Sequence, residues 1–551
     1  MLVVAEKHLL TWPDLFPRAA PKRCRGGSRQ YDVSGRTSLA AQPNRRSPWP
    51  AALAASVVAL LLSVGMWALA YRFGYPLAGI AVWVAPLSQA LSGRWGLGWG
   101  SLVGTAAAAA SAPYLFSLTD ERYGSIPAAG ACVLFGVQVG IVLKYYNWAS
   151  RFTFLLLTTA PAWAVAVEHA RARLFAWPTL LSSTPLSALP AGALVGLMGP
   201  LGMAWLNLFQ QTLLAAALSD RRRRNLWLAG WATMLCLSSV AGICARQLPG
   251  KQIPQQLRVL VVQPGTLSKP TLAGHLPDVA AAEAAARLTL DALTTARPKL
   301  IIWPETTLGA AYVEPNGRGT IGLIGTAHKC DIRFAKAILQ QGPGAYMLAG
   351  LYLHYMDGHR TNGAVLIGPD GSLQWYEKRT LVWFVESLPR PLAAVAVALG
   401  LNPEQFSPLV PGRAGRNITC RVGGQQLRLR IAICLEKYVY WDWAEPVDVV
   451  LHLGNESYFA DAPSLLVEHR WALQARALQT RCWQFSAQTL RGSAVVDPQG
   501  HIHAQLPAGP GWLYFDNGRI TTRQFSYAEL AKLPSWKPEP QGQLRECSTV
   551  P

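Results

Sequence analysis

The chain has 551 residues, of which 51% are hydrophobic and only 15% charged, and it carries a formal net charge of +20. This length exceeds one ordinary domain, and the apolar composition favours a membrane region over a fully soluble protein. The basic residues are concentrated at the N-terminus and in short loops between apolar stretches. That distribution is typical of membrane topology rather than of nucleic-acid binding, so no nucleic-acid partner is expected.

Residues 1–48 predict a mostly disordered basic tail on the cytoplasmic side, because they hold nine Lys or Arg and three acidic residues. Residues 49–246 predict a transmembrane helical domain of about seven spans, since one span takes roughly 20 apolar residues. The uncharged stretches are 47–71, 73–93, 95–119, 123–143, 152–167, 174–219 and 225–245. Prolines interrupt the sixth stretch, which predicts an interfacial or re-entrant piece and then one span near 196–218.

The orientation of these spans follows from the loops. With the N-terminus inside, sixteen Lys or Arg lie in the tail and inner loops and four lie in the outer loops. The positive-inside rule therefore predicts a cytoplasmic N-terminus. After an odd number of spans, everything beyond residue 246 is expected on the opposite side of the membrane.

Residues 257–525 have the pattern of a soluble α/β domain, in which short β-rich runs alternate with helical patterns. The predicted strands are 257–263, 299–303, 345–351, 364–368, 427–434 and 447–453, and the predicted helices are 277–296 and 464–480. Residues 526–551 predict a polar tail without a further span.

Three chemically useful side chains each follow a strand-like run, namely Glu305, Lys378 and Cys434. A thiol on a strand-to-turn elbow is exposed on a rigid backbone, where N–H groups also point at developing negative charge. Glu305 is then the candidate general base for the thiol. Lys378 and the backbone N–H of Leu435 are the candidate stabilisers of a tetrahedral oxyanion.

Each of the three residues alone also has an ordinary structural interpretation. A single Cys in an apolar strand is commonly a buried, inert thiol. Glu305 is compatible with a position beside a helix N-cap, and Lys378 with an exposed strand end. Their order along the chain, Glu then Lys then Cys, favours the catalytic interpretation.

The segments WPET at 303–306, YEKR at 376–379 and ICLE at 433–436 resemble the carbon–nitrogen hydrolase (nitrilase) superfamily. The resemblance covers roughly 257–505 and implies an α-β-β-α sandwich with a Glu-Lys-Cys triad. Within that superfamily, a multi-span N-terminal half followed by such a domain resembles the apolipoprotein N-acyltransferases. The resemblance implies Glu305 as base, Lys378 as oxyanion partner and Cys434 as nucleophile.

Further matches carry the narrower resemblance: Asn362 at a YNxA-like position, the loop from Lys378 through Glu386 to Pro389, and the segment NESYF from Asn455. They imply that Glu386 and Glu436 orient Lys378 or the acceptor amine, and that Asn455 belongs to the substrate-facing site.

Other positions depart from the acyltransferase pattern. Leu435 stands where that family has Tyr after the nucleophile, and 489–491 replaces an asparagine-glycine turn. Further departures are at Trp383, Val385, Ser387, Glu456 and Tyr458. A divergent relative, such as the TraB-type conjugal-transfer proteins, fits this combination.

The leading hypothesis is a membrane acyltransferase that forms an acyl-Cys434 thioester from a phospholipid and transfers the acyl group to an amine, such as a lipoprotein N-terminus. The alternatives are a membrane-tethered amidase, in which water resolves the thioester, and a non-enzymatic envelope or transfer protein that retains the fold. The resemblance implies the bacterial inner membrane, with a periplasmic catalytic domain. No cofactor or metal is expected, because the chain has no P-loop, no His cluster and no Cys spacing for a metal.

Overall fold

The computed structural model describes residues 49–72, 75–79, 81–111, 126–174, 190–266, 279–315, 321–325, 332–342, 344–355, 357–382, 386–388, 394, 397–398, 409–413, 417–439, 446–455 and 463–534. The predicted basic tail and residues 535–551 of the predicted polar tail lie outside this set. The chain divides into the units Met1–Ala52 and Leu53–Pro551, and the contacts described below lie within the second.

Apolar helices occupy the N-terminal half. They are α1 (Trp49–Trp67), α2 (Pro76–Gly79), α3 (Val84–Leu91), α4 (Leu97–Ser111), α5 (Ile126–Ala149), α6 (Thr153–Leu174), α7 (Val195–Ser219) and α8 (Arg224–Arg246). A π-helical turn, Ala68–Arg72, follows α1, and a 3₁₀ turn, Pro190–Leu194, precedes α7. Helix α7 is kinked at Gly199, whose φ of 69° lies outside the helical region, and Pro200 follows it directly.

Four of the described helices are long and apolar enough to cross a membrane: Leu53–Ala70, Ala128–Ala149, Pro190–Ser219 and Arg224–Arg246. The predicted count of about seven spans is therefore not confirmed. The predicted span 73–93 contains the two short helices α2 and α3 rather than one long helix. The region of the predicted span 152–167 falls in α6, which continues into the buried polar residues Glu168 and Arg171.

The break between α2 and α3 is closed by one side chain of α7. The fully buried Gln211 donates from Nε2 to the carbonyl of Gly79 at 3.4 Å. Its Oε1 accepts a hydrogen bond from the backbone N–H of Trp83 at 2.6 Å. Backbone groups released by a helix break must find partners inside a membrane protein, because hydrocarbon supplies none. Gln211 thus fixes this irregular segment to a long helix.

Strands of the C-terminal half form two sheets. They are β1 (Arg258–Gln263), β2 (Leu300–Ile302), β3 (Ala310–Pro315), β4 (Ile321–Gly325), β5 (Tyr346–Tyr355), β6 (Arg360–Ile367), β7 (Leu373–Glu377), β8 (Asn417–Val422), β9 (Gln425–Ile433), β10 (Val449–Gly454), β11 (Trp483–Gln488), β12 (Ala494–Val496), β13 (Ile502–Gln505), β14 (Gly511–Asp516) and β15 (Arg519–Gln524). The first sheet runs β15-β14-β1-β2-β5-β3-β4, with β6 and β7 attached through β5. The second runs β13-β12-β11-β10-β9-β8.

The two sheets face each other across an apolar core, and helices cover their outer faces. The core combines Val259, Val261, Ile302 and Leu348 of the first sheet with Leu429, Ile431, Ile433 and Leu451 of the second. Helices α9 (Val279–Thr295) and α10 (Ile332–Gln340) cover the first sheet, and α11 (Pro463–Thr480) covers the second. The order of layers is helix, sheet, sheet, helix, and it arises because the central strands are apolar on both faces.

Helix α11 also packs on the apolar N-terminal helices. Trp471 belongs to the same buried cluster as Trp67 of α1, and Leu478 to a second cluster with Met203 of α7. At Gly196, near the start of α7, a Cβ would lie 2.4 Å from the carbonyl oxygen of Leu478, so this close approach requires glycine. One helix therefore joins the two halves.

The described chain continues past residue 525 into α12 (Tyr527–Lys532). Leu530 is buried in the core beneath α9, and Arg287 of α9 donates to the carbonyls of Ala531 and Leu533 at 3.0 and 2.9 Å. The first residues of the predicted polar tail therefore pack on the sheet domain.

We expect Gln211→Leu to destabilise the protein by about 2–5 kcal/mol, because it leaves two buried backbone groups without partners. Gln210→Leu is the matched control. Among the described contacts it removes the side-chain pair with Ser238 on α8, at a cost of about 1 kcal/mol. The measurement is the free energy of unfolding in mixed detergent micelles. Equal losses for the two variants would contradict the assigned role of Gln211.

Candidate active site

The candidate catalytic residues come from the ends of strands in both sheets. Glu305 follows β2 by three residues, Lys378 comes directly after β7, and Cys434 comes directly after β9. Strands β2 and β7 belong to the first sheet and β9 to the second.

Lys378 is a fully buried ammonium held between two carboxylates. Its Nζ lies 2.8 Å from Oε1 of Glu386 and 3.3 Å from Oε1 of Glu305. Burial by itself lowers the pKa of a lysine, but the two carboxylates outweigh it and raise the pKa of Lys378 well above its ordinary value. The side chain is therefore a permanent cation rather than a base.

Asn362 links the two carboxylates. Its Nδ2 donates to Oε1 of Glu305 at 2.7 Å and to Oε1 of Glu386 at 2.8 Å. Its backbone carbonyl accepts the N–H of Lys378 at 2.8 Å, so strand pairing places the amide and the ammonium together. The motif match singled out Asn362, and its contacts give it the role of orienting both acids.

Glu305 is held by backbone as well as by side chains. Its Oε2 accepts the N–H of Asn455 at 2.8 Å. The next residue, Thr306, has a φ of 53°, which is strained for a β-branched residue. Its hydroxyl accepts the side-chain amide of Asn455 at 2.9 Å. Gly350 of β5 makes room for this turn, since a Cβ there would lie 2.5 Å from the Cα of Glu305.

Cys434 begins a 3₁₀ turn, Cys434–Tyr438, and has a φ of 52°. This strained elbow matches the expected geometry of a nucleophile. The side chain is partly exposed. Burial, and then the charge of Glu305, raise the pKa of the thiol to about 12, while Lys378 acts in the opposite direction. The resting thiol is therefore protonated and needs a base to become a nucleophile.

Glu436 is a buried carboxylate that joins the elbow to the strand end carrying Lys378. One oxygen accepts the N–H of Ile433 and the hydroxyl of Tyr376, both at 2.9 Å. The other accepts the N–H of Arg379 at 2.7 Å and that of Thr380 at 3.3 Å. Burial raises the pKa of Glu436, and the hydrogen bonds from the backbone partly offset that rise.

The remaining predicted site residues have these positions. Glu386 also accepts the N–H of Val382 at 2.8 Å, which closes a short turn after Lys378. Leu435 lies on the 3₁₀ turn and is partly exposed, and Asn455 contacts Glu305 as described above. The loop positions 383–385 and 389, and the positions 456–459 of NESYF, lie outside the described residues.

Sequence reasoning missed Thr306 and Tyr352. Thr306 is part of the motif WPET, but the sequence gives no sign of its positive φ, which only the backbone structure shows. Tyr352 lies in the strand β5, where tyrosine is an ordinary residue. The available signal was strand alternation, which places it on the same face as Gly350. Among the described residues, no group of three or more His, Cys, Asp or Glu is arranged to hold a metal ion.

Comparison with known proteins gives matches only among solved structures. No protein-family model and no curated protein matches the chain. The amidase NitN from Nesterenkonia sp. AN1 is 17% identical over 50% of this chain and 96% of its own, with a TM-score of 0.30. A variant of the Nesterenkonia AN1 amidase, described as a nitrilase-superfamily protein, is 19% identical over 48% and 92%, with a TM-score of 0.31. The glutamine-dependent NAD+ synthetase from Acinetobacter baumannii is 15% identical over 51% of this chain and 48% of its own, with a TM-score of 0.32. Because these identities and TM-scores are low, the description of the candidate site is based on the contacts within this chain alone.

We expect iodoacetamide to alkylate Cys434 about tenfold faster for each unit of pH between 7 and 10, because a thiol with a pKa of about 12 gains thiolate in that proportion. Glu305→Gln should speed alkylation about tenfold at fixed pH, since it removes a negative charge that raises the thiol pKa. Mass spectrometry of the Cys434 peptide gives the rates.

Glu283→Gln, on the exposed face of α9, is the matched control for this substitution and should leave the rate unchanged. An unchanged rate in Glu305→Gln would mean that the Glu305 charge does not raise the thiol pKa, and a slower rate would mean that the carboxylate assists alkylation instead of opposing it.

Proposed function

We propose that this protein is a membrane-bound acyltransferase of the carbon–nitrogen hydrolase (nitrilase) superfamily. It moves an acyl group from a phospholipid to an amine through a thioester on Cys434. The observation that carries the proposal is the contact between Lys378, Glu305 and Glu386, with the Cys434 thiol in their electrostatic field. A buried acid, a buried cation and a strained thiol are the parts that thioester chemistry needs.

The first half-reaction forms the thioester. Glu305 takes the proton from Sγ of Cys434 as sulfur attacks the ester carbonyl carbon, and the carbonyl electron pair moves to oxygen. Lys378 and the backbone N–H of Leu435 stabilise this oxyanion. When the tetrahedral intermediate collapses, the bond to the alcohol oxygen breaks and Glu305 returns its proton to that oxygen.

The second half-reaction reverses these roles. A neutral amine attacks the thioester carbon, and Glu305 takes the proton that the amine nitrogen loses. The carbon–sulfur bond then breaks, and the thiolate leaves and recovers the proton. Glu386, Glu436 and Asn455 act by holding Lys378, the elbow and Glu305 in place.

The attachment of the domain supports a lipid donor. Arg476 of α11 donates from Nε to the carbonyl of Lys437, on the same 3₁₀ turn as Cys434, at 2.8 Å. Other residues of α11, including Trp471, pack on the apolar helices. A thiol held near a bilayer meets a high effective concentration of lipid esters, which a soluble amidase would not require.

The acceptor class is an amine, and the motif resemblance favours the N-terminus of a lipoprotein, including one that serves a conjugal-transfer system. The same resemblance and the charge of the loops favour the bacterial inner membrane, with the sheet domain in the periplasm.

Incubation of the purified full-length protein with a labelled-acyl phospholipid should give an acyl-protein that hydroxylamine cleaves. Cys434→Ala should abolish the label, and Lys378→Met should slow labelling about 100-fold because it removes an oxyanion partner. The measurement is label on the protein against time, followed by a chase with an amine.

Transfer of the label to the amine supports acyl transfer, whereas rapid release as free fatty acid would identify a tethered amidase. Absence of label under every condition would favour the non-enzymatic alternative, an envelope or transfer protein that retains the fold. Unchanged labelling of Lys378→Met would remove Lys378 from the mechanism.

A reporter fused after Gln541 should behave as extracytoplasmic, because the predicted topology has an odd number of spans. Paired alkaline phosphatase and green fluorescent protein fusions measure this directly: the first should be active and the second dark. A bright fluorescent fusion would overturn the topology. Fusion of the same reporters after Arg223 gives the cytoplasmic control, since this position lies within the basic inner loop.

A further inference from the structure

Tyr352 lies beside the residues proposed for catalysis. In the antiparallel pairing of β5 with β6, Tyr352 is directly opposite Asn362, whose amide holds Glu305 and Glu386. Side chains of such a pair lie on one face of the sheet, about 5 Å apart at Cβ. Gly350, two residues earlier on the same face, lies against the Cα of Glu305. Strand β5 therefore presents first a glycine and then a phenol to the site.

The charges of the site act on this phenol. Burial, then Glu386 and Glu305, raise the pKa of Tyr352 above its ordinary value, whereas Lys378 acts in the opposite direction and Cys434 also contributes. The phenol is thus a neutral O–H on which the charges of these four side chains act.

The hydroxyl of Tyr352 is not engaged by any residue that the structure describes. Tyr376 donates to Glu436 and Tyr355 to Glu377, but no described residue is hydrogen-bonded to the Tyr352 hydroxyl. The side chain is partly exposed. A phenol O–H with no partner in the described part of the chain, on the strand face that carries Gly350 beside Glu305, is placed to donate to a substrate.

The reaction needs such a donor. Two of the three N–H bonds of Lys378 point to Glu305 and Glu386, so at most one is left for an oxyanion. Two carboxylates and one ammonium leave the site with a net negative charge, which opposes a second anion there. A neutral O–H stabilises negative charge without adding to it and without a large desolvation cost.

We propose that the Tyr352 hydroxyl donates a hydrogen bond to the carbonyl oxygen of the acyl group at Cys434, which makes Tyr352 a further catalytic residue. This rests on the acyl transfer proposed above. As the bond between Sγ and carbon forms, the carbonyl electron pair moves to oxygen and the thiol proton passes to Glu305. Tyr352 keeps its own proton throughout, and its hydrogen bond strengthens as the oxygen becomes negative.

The test compares two reactions of the same thiol in the full-length protein in detergent. Acylation by 4-nitrophenyl acetate passes through an oxyanion, whereas alkylation by iodoacetamide is a displacement at saturated carbon and does not. Tyr352→Phe should slow acylation about 100-fold and leave the alkylation rate unchanged. Tyr514→Phe, on β14 of the same sheet, is the matched control and should change neither rate. Mass spectrometry of the Cys434 peptide follows both reactions.

Equal acylation of Tyr352→Phe and wild type would overturn the role of Tyr352 and leave acyl transfer intact. A parallel fall in both rates would also overturn it, because the variant would then have changed the thiol itself. If 4-nitrophenyl acetate acylates the wild type but phospholipid does not, only the lipid donor is refuted. If neither reagent acylates the wild type, both proposals are refuted.

Discussion

The buried carboxylate of Glu436 connects the two sheets at the strand ends that carry Cys434 and Lys378. Its donors are Ile433, at the end of β9 in the second sheet, and Tyr376 and Arg379, on either side of Lys378 in the first. A carboxylate in an apolar interior is costly unless its oxygens are fully hydrogen-bonded. Because these donors come from both sheets, satisfying the charge fixes Cys434 relative to Lys378. The apolar core between the sheets stabilises the domain, and the Glu436 carboxylate sets the position of one strand end relative to the other.

This fixed geometry determines which side chains of the site are charged and which are neutral. The ammonium of Lys378 contacts two carboxylates, so it remains charged. Burial, and then the negative charge of Glu305, raise the pKa of the Cys434 thiol and keep it protonated at rest. Strain at Thr306 and Cys434 is tolerated because Asn455 and Glu436 hold the neighbouring backbone from several directions. The resting thiol of Cys434 is therefore a neutral group beside charged neighbours.

The sequence predicted the parts of the sheet domain whose signal is local. Strands at 257–263 and 447–453 correspond to β1 and β10, since buried central strands are continuous apolar runs. The positions of Glu305, Lys378 and Cys434 after strands were also readable. Hydropathy could not reveal that 73–93 is broken and depends on Gln211, more than 100 residues away. Nor could propensity distinguish Tyr352 from any other strand tyrosine, because its role depends on a cross-strand neighbour.

Helix α11 holds the sheet domain directly against the apolar helices, because it packs on both. One of its faces closes the second sheet through Leu473, and another packs with Trp67 through Trp471. At its end, the carbonyl of Arg481 accepts the N–H of Lys251, so the segment after α8 is fastened at the same place. A helix that must be apolar on two faces cannot be exchanged for a polar tether without exposing both cores. The position of Cys434 relative to the apolar helices is thus a property of the fold, and the proposal of a lipid ester as acyl donor depends on that fixed position.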